Sequence, residues 1–460
     1  MNNMRRFYFG CSLIVFMGAA TMLSAQTKNW ITLFDGKTLS GWKKVCGEAE
    51  YTIEKGSITG ITKAGSPNSF LISEKEYGDF MLELEVMMPD TSSNSGIQFR
   101  SHFDAQANNA KGKVFGYQYE LDNSSRSWTG GIYDEGRRGW LYPLDLNPAA
   151  KKVYKIGKFN KVKIECIGNT IKTWVNNVPT AYMVDDEDAK GFIALQVHGV
   201  SKAEEGGKKI YWKNIRIKTT GLTPSPFPGN IYVLNNHPNS LTESEKNNGW
   251  KLLFDGVSSN GWTGAYKKTF PEKGWKINDG TLTVLSSEGH ESTNGGDIVT
   301  TDKYSAFDLS FQFKLTPGAN SGVKYFVTLS ENNSGSAIGL EYQVLDDERH
   351  PDAKMGRDGN RTLSSLYDLI TSHKPSNAIH NIGEWNTGRV VVYPNNHVEH
   401  YLNGQKVLEY ERGSAAYRQL VEISKYKKWD HFGEAEEGYI LLQDHGNEVS
   451  YRNIKIKVLK

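Results

Sequence analysis

Apolar and polar side chains alternate with a period of two through much of the chain. Phe80, Leu82, Leu84 and Val86 are interleaved with Met81, Glu83 and Glu85. Phe307, Leu309, Phe311 and Phe313 are interleaved with Asp308, Ser310 and Gln312, and Ile454, Ile456 and Val458 with lysines. A strand turns successive side chains to opposite faces, so this period predicts half-buried antiparallel strands. Frequent Asn-Gly and Asp-Gly pairs between the runs supply tight turns. No long amphipathic helix interrupts them; one short helix is predicted near Leu363 to Ile370. The combination predicts an all-β protein built from two-sheet sandwiches.

A chain of 460 residues exceeds one ordinary core, and this one repeats itself. Trp30-Ile-Thr-Leu-Phe-Asp-Gly36 recurs as Trp250-Lys-Leu-Leu-Phe-Asp-Gly256, each followed by Gly-Trp (Trp42, Trp262). Asn94-Ser-Gly-Ile97 recurs as Asn320-Ser-Gly-Val323, and Phe159-Asn160 as Trp385-Asn386. Leu195-Gln-Val-His-Gly199 recurs as Leu442-Gln-Asp-His-Gly446, and Lys213-Asn-Ile-Arg-Ile217 as Arg452-Asn-Ile-Lys-Ile456. The landmarks keep their order, which indicates a duplicated domain of roughly two hundred residues rather than a solenoid. The expected division is residues 28–219 for the first sandwich, 220–248 for a linker and 249–460 for the second. The linker is marked by Pro224, Pro226 and Pro228, and its apolar Ile231–Leu234 is expected to pack against one domain.

The N-terminus carries Arg5 and Arg6, an apolar stretch from Cys11, and Ser24-Ala25 before Gln26. That is the grammar of a signal peptide over residues 1–25 and predicts export to the periplasm or beyond. Gly18, Thr21 and Ser24 break the run, which is too short for a stable membrane span, and Cys11 lies too early for lipidation. A net charge of +2 offers no bulk attraction for nucleic acid or an anionic membrane. After cleavage Cys46 and Cys166 remain; Cys166 continues the alternation Val162, Ile164 and is expected as a buried free thiol rather than a disulfide.

Candidate chemistry sits at matching places in the two copies. Gln118, Glu120 and Asp122 share one face of a strand in copy one; Glu341 and Gln343 share one in copy two in swapped order, with Asp346 one residue later than its counterpart. Gln196 and His198 point to one side of a strand, as do Gln443 and His445. Histidine titrates near neutrality and suits general-base work. The glycine-rich loop Trp128–Trp140 presents Tyr133, Glu135, Arg137, Arg138 and Trp140, residue types that stack on sugar rings and bind hydroxyls in pairs. In copy two, Tyr367 and Asp368 stand against Tyr133 and Asp134, and a polar insertion brings Asp347, His350 and Asp352. Arg100 is matched by Phe326, so the two sites are expected to differ in substrate. His397 and His400 fall on opposite faces of a strand, and no Cys/His spacing suggests zinc. No cofactor is expected; a divalent ion such as calcium is not readable from sequence.

Taken together, Phe-Asp-Gly…Gly-Trp, Asn-Ser-Gly, Gly383-Glu-Trp-Asn386 and Gln443-Asp-His-Gly446…Arg452-Asn-Ile resemble the 3-keto-disaccharide hydrolase family, formerly a domain of unknown function. The resemblance covers nearly the whole mature chain, twice. It implies concanavalin A-like jelly rolls in tandem, a bacterial host, and cleavage of glycosides oxidised to the ketone at C3. Laminarinases of that fold use a Glu-x-Asp-x-Glu strand; here Ser124 takes the last place and copy two lacks the pattern, which disfavours a paired-carboxylate mechanism. A C3 ketone acidifies the C2 proton, so one base and an oxyanion site suffice for elimination. The expected catalytic residues are His445 first, then His198, Glu341 and Glu120. The expected substrate-binding residues are Gln443, Gln343, Asp346, Tyr367, Gln196, Gln118, Asp122, Arg100, Tyr133, Glu135, Arg138 and Trp140. A non-catalytic, lectin-like carbohydrate binder and a conventional endo-glycosidase are the alternatives.

Export is directly testable: the secreted protein should begin near Gln26 on N-terminal sequencing, and exported material that retains Met1 would overturn the signal-peptide assignment.

Overall fold

The computed structural model describes residues 29–329, 337–375 and 378–460; the expected signal peptide lies outside the described residues. Each copy is an antiparallel sandwich of two sheets. Copy one combines a nine-stranded with a seven-stranded sheet, and copy two an eight-stranded with a five-stranded sheet. The chain is two jelly-roll sandwiches in tandem.

The alternating runs form the central strands of the larger sheets. Phe80–Met87 lies between Asn160–Ile167 and Lys209–Lys218. Phe307–Leu315 lies between Asn386–Val392 and Val449–Val458. Their inward side chains Phe80, Leu82, Leu84, Val86, Phe307, Leu309, Phe311 and Phe313 are buried in the two main cores. On the outer face of copy one the charges pair across strands: Arg216 reaches Glu83 at 2.5 Å and Lys213 reaches Glu85 at 3.6 Å. Such exposed pairs add little stability, so burial of the inner face dominates.

Two repeated landmarks turn out to be joints of this frame. The Trp42 indole donates to Leu33 O at 2.7 Å and the Trp262 indole to Leu253 O at 2.6 Å. Asp35 and Asp255 each cap the turn between them, accepting backbone N–H groups two and three residues on. Asn214 and Asn453 adopt φ of 53° and 52°, the left-handed conformation that asparagine tolerates, where the final strand of each copy bulges. Cys166 is buried and free; burial pushes its thiol up to about 12.

The helix expected over Leu363–Ile370 is not formed. Ser364 and Asp368 take positive φ, and the segment lies along the edge of the Ile338–Leu345 strand. There Ser364 N donates to Gln343 O at 2.8 Å and Tyr367 N to Glu341 O at 3.0 Å. Backbone groups that a helix would have satisfied internally are satisfied by the sheet instead.

The segment between the copies is built into both. Tyr232, Val233 and Leu234 are buried. Leu234–Asn235 pairs in parallel with Met183–Val184 of copy one. The Tyr232 carbonyl accepts from Tyr142 OH at 2.8 Å, while its ring lies under the Arg389 guanidinium of copy two at 4.3 Å. A short helix, Glu243–Asn247, starts with a capping box in which Thr242 and Glu245 satisfy each other's backbone. Glu245 also meets Lys455 at 2.5 Å, with both side chains 1% exposed. Lys455 stands on what would be the solvent face of its strand, and the linker covers it.

A buried charge left without its partner is expensive. Lys455→Met or Glu245→Ala alone should lower the stability of copy two by about 3–5 kcal/mol in denaturant unfolding, and replacing both by apolar residues should recover much of it. A loss below about 1 kcal/mol would mean that water already reaches the pair.

Candidate functional site

The smaller sheet of copy two carries the candidate site. Asn320–Thr328 pairs with Ile338–Leu345 so that Lys324 stands opposite Glu341 and Gly322 opposite Gln343. Each residue of the Asn-Ser-Gly landmark has a separate task. Asn320 Nδ2 lies 3.3 Å from His445 Nε2. Ser321 Oγ, itself accepting from Tyr451 OH at 2.7 Å, donates to Gln443 O at 2.7 Å. Gly322 makes room for Glu341: a Cβ there would sit 2.3 Å from Glu341 Oε1. Turned with its amide nitrogen towards Glu341, Gln343 donates to Glu341 Oε1 at 3.0 Å and to Ser321 O at 3.1 Å.

Beyond the strand end, buried Asp444 accepts from Gly296 N at 2.9 Å and Gly446 N at 3.1 Å, and Asp444 N donates to Asp297 Oδ1 at 2.9 Å. These bonds fix the loop bearing Glu291 and Asp297 against His445. Together the elements enclose a cavity of about 750 Å³. Its floor is Asn320, Lys324, Glu341, Gln343, Gln443 and His445; its walls include Asp297, His350, Tyr367, Lys425 and Trp429.

The electrostatics are those of a carboxylate among cations. Burial pushes the Glu341 carboxyl above its usual range, against the pull of Lys324, Lys425 and His445. Burial works against the charge of Lys324, but Glu341, Asp297 and Glu291 outweigh it and raise the ammonium's pKa. Lys425 is held below the usual lysine range by burial, which Glu341 only partly offsets and Lys324 reinforces. Two buried polar atoms on the floor, Gln443 Oε1 and His445 Nδ1, have no protein partner among the described residues. Orphaned polar atoms at the base of a cavity are what a polar ligand satisfies.

Copy one has the same frame with different groups. Ser95 Oγ donates to Gln196 O at 2.6 Å, and a Cβ on Gly96 would lie 2.3 Å from Gln118 Cδ. The register sets Gln98 opposite Gln118 and Gly96 opposite Glu120. Gln98 therefore stands where Lys324 does, Gln118 where Glu341 does, and Glu120 where Gln343 does. The swapped order seen in sequence is real: amide and carboxylate have exchanged places, and no ammonium stands opposite. Glu120 accepts from Gln118 at 2.8 Å and Asn94 at 3.0 Å, and burial pushes its carboxyl up to about 7. Gln196 is buried and stands opposite Gly96 on the neighbouring strand. His198 is exposed and contacts its neighbour's carbonyl, Gly199 O, at 2.8 Å, whereas His445 is half-buried in the larger cavity.

Several expected ligand groups serve the frame instead. Arg100 is 1% exposed. Its guanidinium donates to Gly78 O, Gly168 O and Asp79, so it is spent inside the fold. Asp122 caps a turn through Ser124 N and pairs with Arg126. Asp346 likewise accepts from Gly318 N at 2.8 Å, Glu348 N at 3.1 Å and Arg349. Arg138 is locked between Asp134 and Asp185. It faces a cleft between the copies, as does Tyr133. Trp140 is buried edge-on against Trp128 and Tyr133, with ring centroids 4.5 and 5.1 Å away. Glu135 accepts from Asn68 at 3.1 Å. Tyr367 does line the copy-two cavity, donating to Asp352 Oδ2 at 2.8 Å.

Away from the cavity, His400 is buried and bonded to Tyr325 OH at 2.8 Å and Ser364 O at 3.0 Å, while His397 faces outward. His397, Glu399 and Glu409 converge within 4.8 Å, but Lys406 already lies 3.1 Å from Glu399 and 2.5 Å from Glu409 and supplies the positive charge. Sequence reasoning missed Lys324, Lys425 and Asp297. Lys324 left a signal, a lone charge inside the apolar run Val323–Val327. Lys425 left none, because it arrives on an excursion that copy one lacks.

The family comparison agrees with this duplicated frame. Residues 29–218 and 249–457 both match the family model described as a 3-keto-alpha-glucoside-1,2-lyase-like domain. A 3-keto-disaccharide hydrolase of Bacteroides thetaiotaomicron is 38% identical over 232 residues, covering 46% of this chain and 79% of that protein. A solved structure of a proposed glycosyl hydrolase from Parabacteroides distasonis is 29% identical with a TM-score of 0.42, over 48% of this chain and 100% of that one. A second from the same organism is 26% identical with a TM-score of 0.36, over 46% and 100%. The chain belongs to the 3-keto-alpha-glucoside-1,2-lyase-like family and carries its domain twice.

Proposed function

We propose that this protein is a glycosidic C–O bond-cleaving enzyme acting on 3-keto-glycosides, and that copy two is its catalytic domain. The observation that carries the reading is the convergence in one cavity of buried Glu341, the ammonium groups of Lys324 and Lys425, and His445. One base among fixed cations suits removal of a proton beside a ketone.

In the proposed reaction His445 takes the C2 proton. The C–H electron pair becomes a C2–C3 double bond and the carbonyl pair moves to O3. Lys324 and Lys425 stabilise the resulting negative charge, and Glu341, across the strands from Lys324, favours the charged form of that ammonium. The electrons then return from O3, the C1–O bond breaks, and the departing oxygen takes up a proton. Addition of water across the resulting double bond gives net hydrolysis. Gln443, Gln343 and Tyr367 are the proposed sugar-binding groups, and export places the enzyme where glycans arrive from outside.

The test uses a 3-keto-glycoside and its unoxidised counterpart. His445→Ala should lower both solvent-deuterium exchange at C2 and cleavage by on the order of a hundred- to ten-thousand-fold, with the unoxidised glycoside left intact by every variant. Exchange and cleavage that persist in the His198→Ala/His445→Ala double variant would remove histidine from the mechanism and make Glu341 the base.

In this reading Glu120 of copy one is a buried acid held by amides. Its carboxyl rises from an ordinary 4.5 to about 7 in the fold. The folded state therefore binds the proton more tightly than the unfolded chain. Stability is full below about pH 4.5, falls as pH rises towards 7, and is flat above; the loss from this group is about 3 kcal/mol. Glu120→Gln should flatten that slope in denaturant unfolding of copy one and stabilise it above neutrality. An unchanged slope would place the carboxylate in water.

A further inference from the structure

The copy-two cavity contains a second imidazole that the proposed reaction leaves unused. His350 lines the wall beside His445, with the two rings edge to face and their centroids 5.7 Å apart. It opens the short 3-10 turn Pro351–Lys354, and its Nδ1 accepts from Asp352 N at 3.2 Å. A ring nitrogen that accepts a backbone N–H carries the lone pair. In the neutral ring the proton must then be on Nε2. That N–H has no protein acceptor among the described residues, and the ring borders the cavity.

The charged and titratable groups around it are His445, Asp352 and Asp346. Burial holds the imidazole below its usual range, and His445 adds to this while the two aspartates oppose it. Protonating Nδ1 would also break the turn. A side chain needed only to cap such a turn would be served by Asn, Asp or Ser. Histidine adds one thing to the cap, a fixed neutral donor beside the base.

We infer that His350 is a further catalytic residue, donating a hydrogen bond from Nε2 to the C3 oxygen of the substrate. The inference rests on the 3-keto-glycoside reading above. C2–H and O3 belong to adjacent carbons, so their partners must stand side by side, as His445 and His350 do. When the C2 proton leaves, charge gathers on O3 and the Nε2–H bond strengthens; no proton is transferred. As the electrons return to expel the C1 oxygen, the bond weakens again. A neutral donor serves this step well because it does not hold the enolate as a stable enol.

The experiment uses the full chain and two 3-keto-glucosides, one with a phenolate and one with an alkoxide leaving group. His350→Asn keeps an acceptor for Asp352 N but cannot reach O3; His350→Ala removes both functions, and thermal unfolding of each variant reports on the turn. Expected for His350→Asn is wild-type unfolding, with C2 deuterium exchange and cleavage lowered together in kcat by about a hundred- to a thousand-fold for both substrates. KM should move by no more than a few-fold, since the bond matters most in the transition state. Exchange within about threefold of wild type in a folded His350→Asn protein would overturn the inference. So would a loss confined to the alkoxide substrate, which would move the donor to the glycosidic oxygen. A wild-type protein that neither exchanges nor cleaves either substrate sinks the functional reading itself, so the two failures are separable.

Discussion

A charge buried on a sandwich sheet must have a counter-charge or be neutralised, a carboxylate by taking up a proton and an ammonium by losing one, and in copy two that constraint is met by one cross-strand pair. Lys324 stands opposite Glu341 in register, above a glycine that leaves room for the carboxylate. Without the ammonium, burial would push the Glu341 carboxyl further above its usual range. Without the glycine, the carboxylate could not lie flat against the sheet. The bonds of Ser321, Asn320 and Gln343 then bring Gln443 and His445 to the same spot. The cavity's chemistry thus depends on the register of two strands, which the hydrophobic faces on either side hold in place.

Copy one shows what the same frame becomes when that pair is replaced. Gln98 and Gln118 meet where Lys324 and Glu341 do, and the carboxylate has moved to the amide's place. Amides carry no net charge: Gln98 donates to Gln118 and Gln118 to Glu120, so the floor keeps a hydrogen-bonded chain and loses its cations. The walls diverge as well. In copy two the chain leaves the Gln405–Glu411 strand for a helix, Ala415–Glu422, and a 3-10 turn, Lys425–Lys428, before returning at Gly438. In copy one the corresponding passage is the short loop between Val184 and Gly191.

The frame was legible in the sequence because it rests on local rules. Period-two alternation marked the central strands, and the repeated landmarks marked the turns and joints that every copy needs. The residues of the swapped Glu341/Gln343 strand and of the second Gln-x-His segment come together on the floor of one cavity for the same reason. The failures come from long-range competition. The apolar spacing at 363–370 suits a helix until a neighbouring sheet edge offers its backbone better partners. Arg100, Asp122 and Asp346 carry the chemistry of ligands, but turns and carbonyls elsewhere in the fold use it first. Lys425 is distant in sequence from every landmark, so nothing local could announce it.

The Glu245–Lys455 contact has a consequence for where this molecule can be divided. Family likeness begins the second domain at residue 249, four positions after the carboxylate that neutralises its last strand. A second copy excised at that boundary would keep the ammonium and discard its counter-ion, together with the Tyr232 ring that shields Arg389. The inherited unit and the physical unit therefore do not share an edge. What was joined as two repeats has since been sutured, and the suture belongs to the downstream repeat.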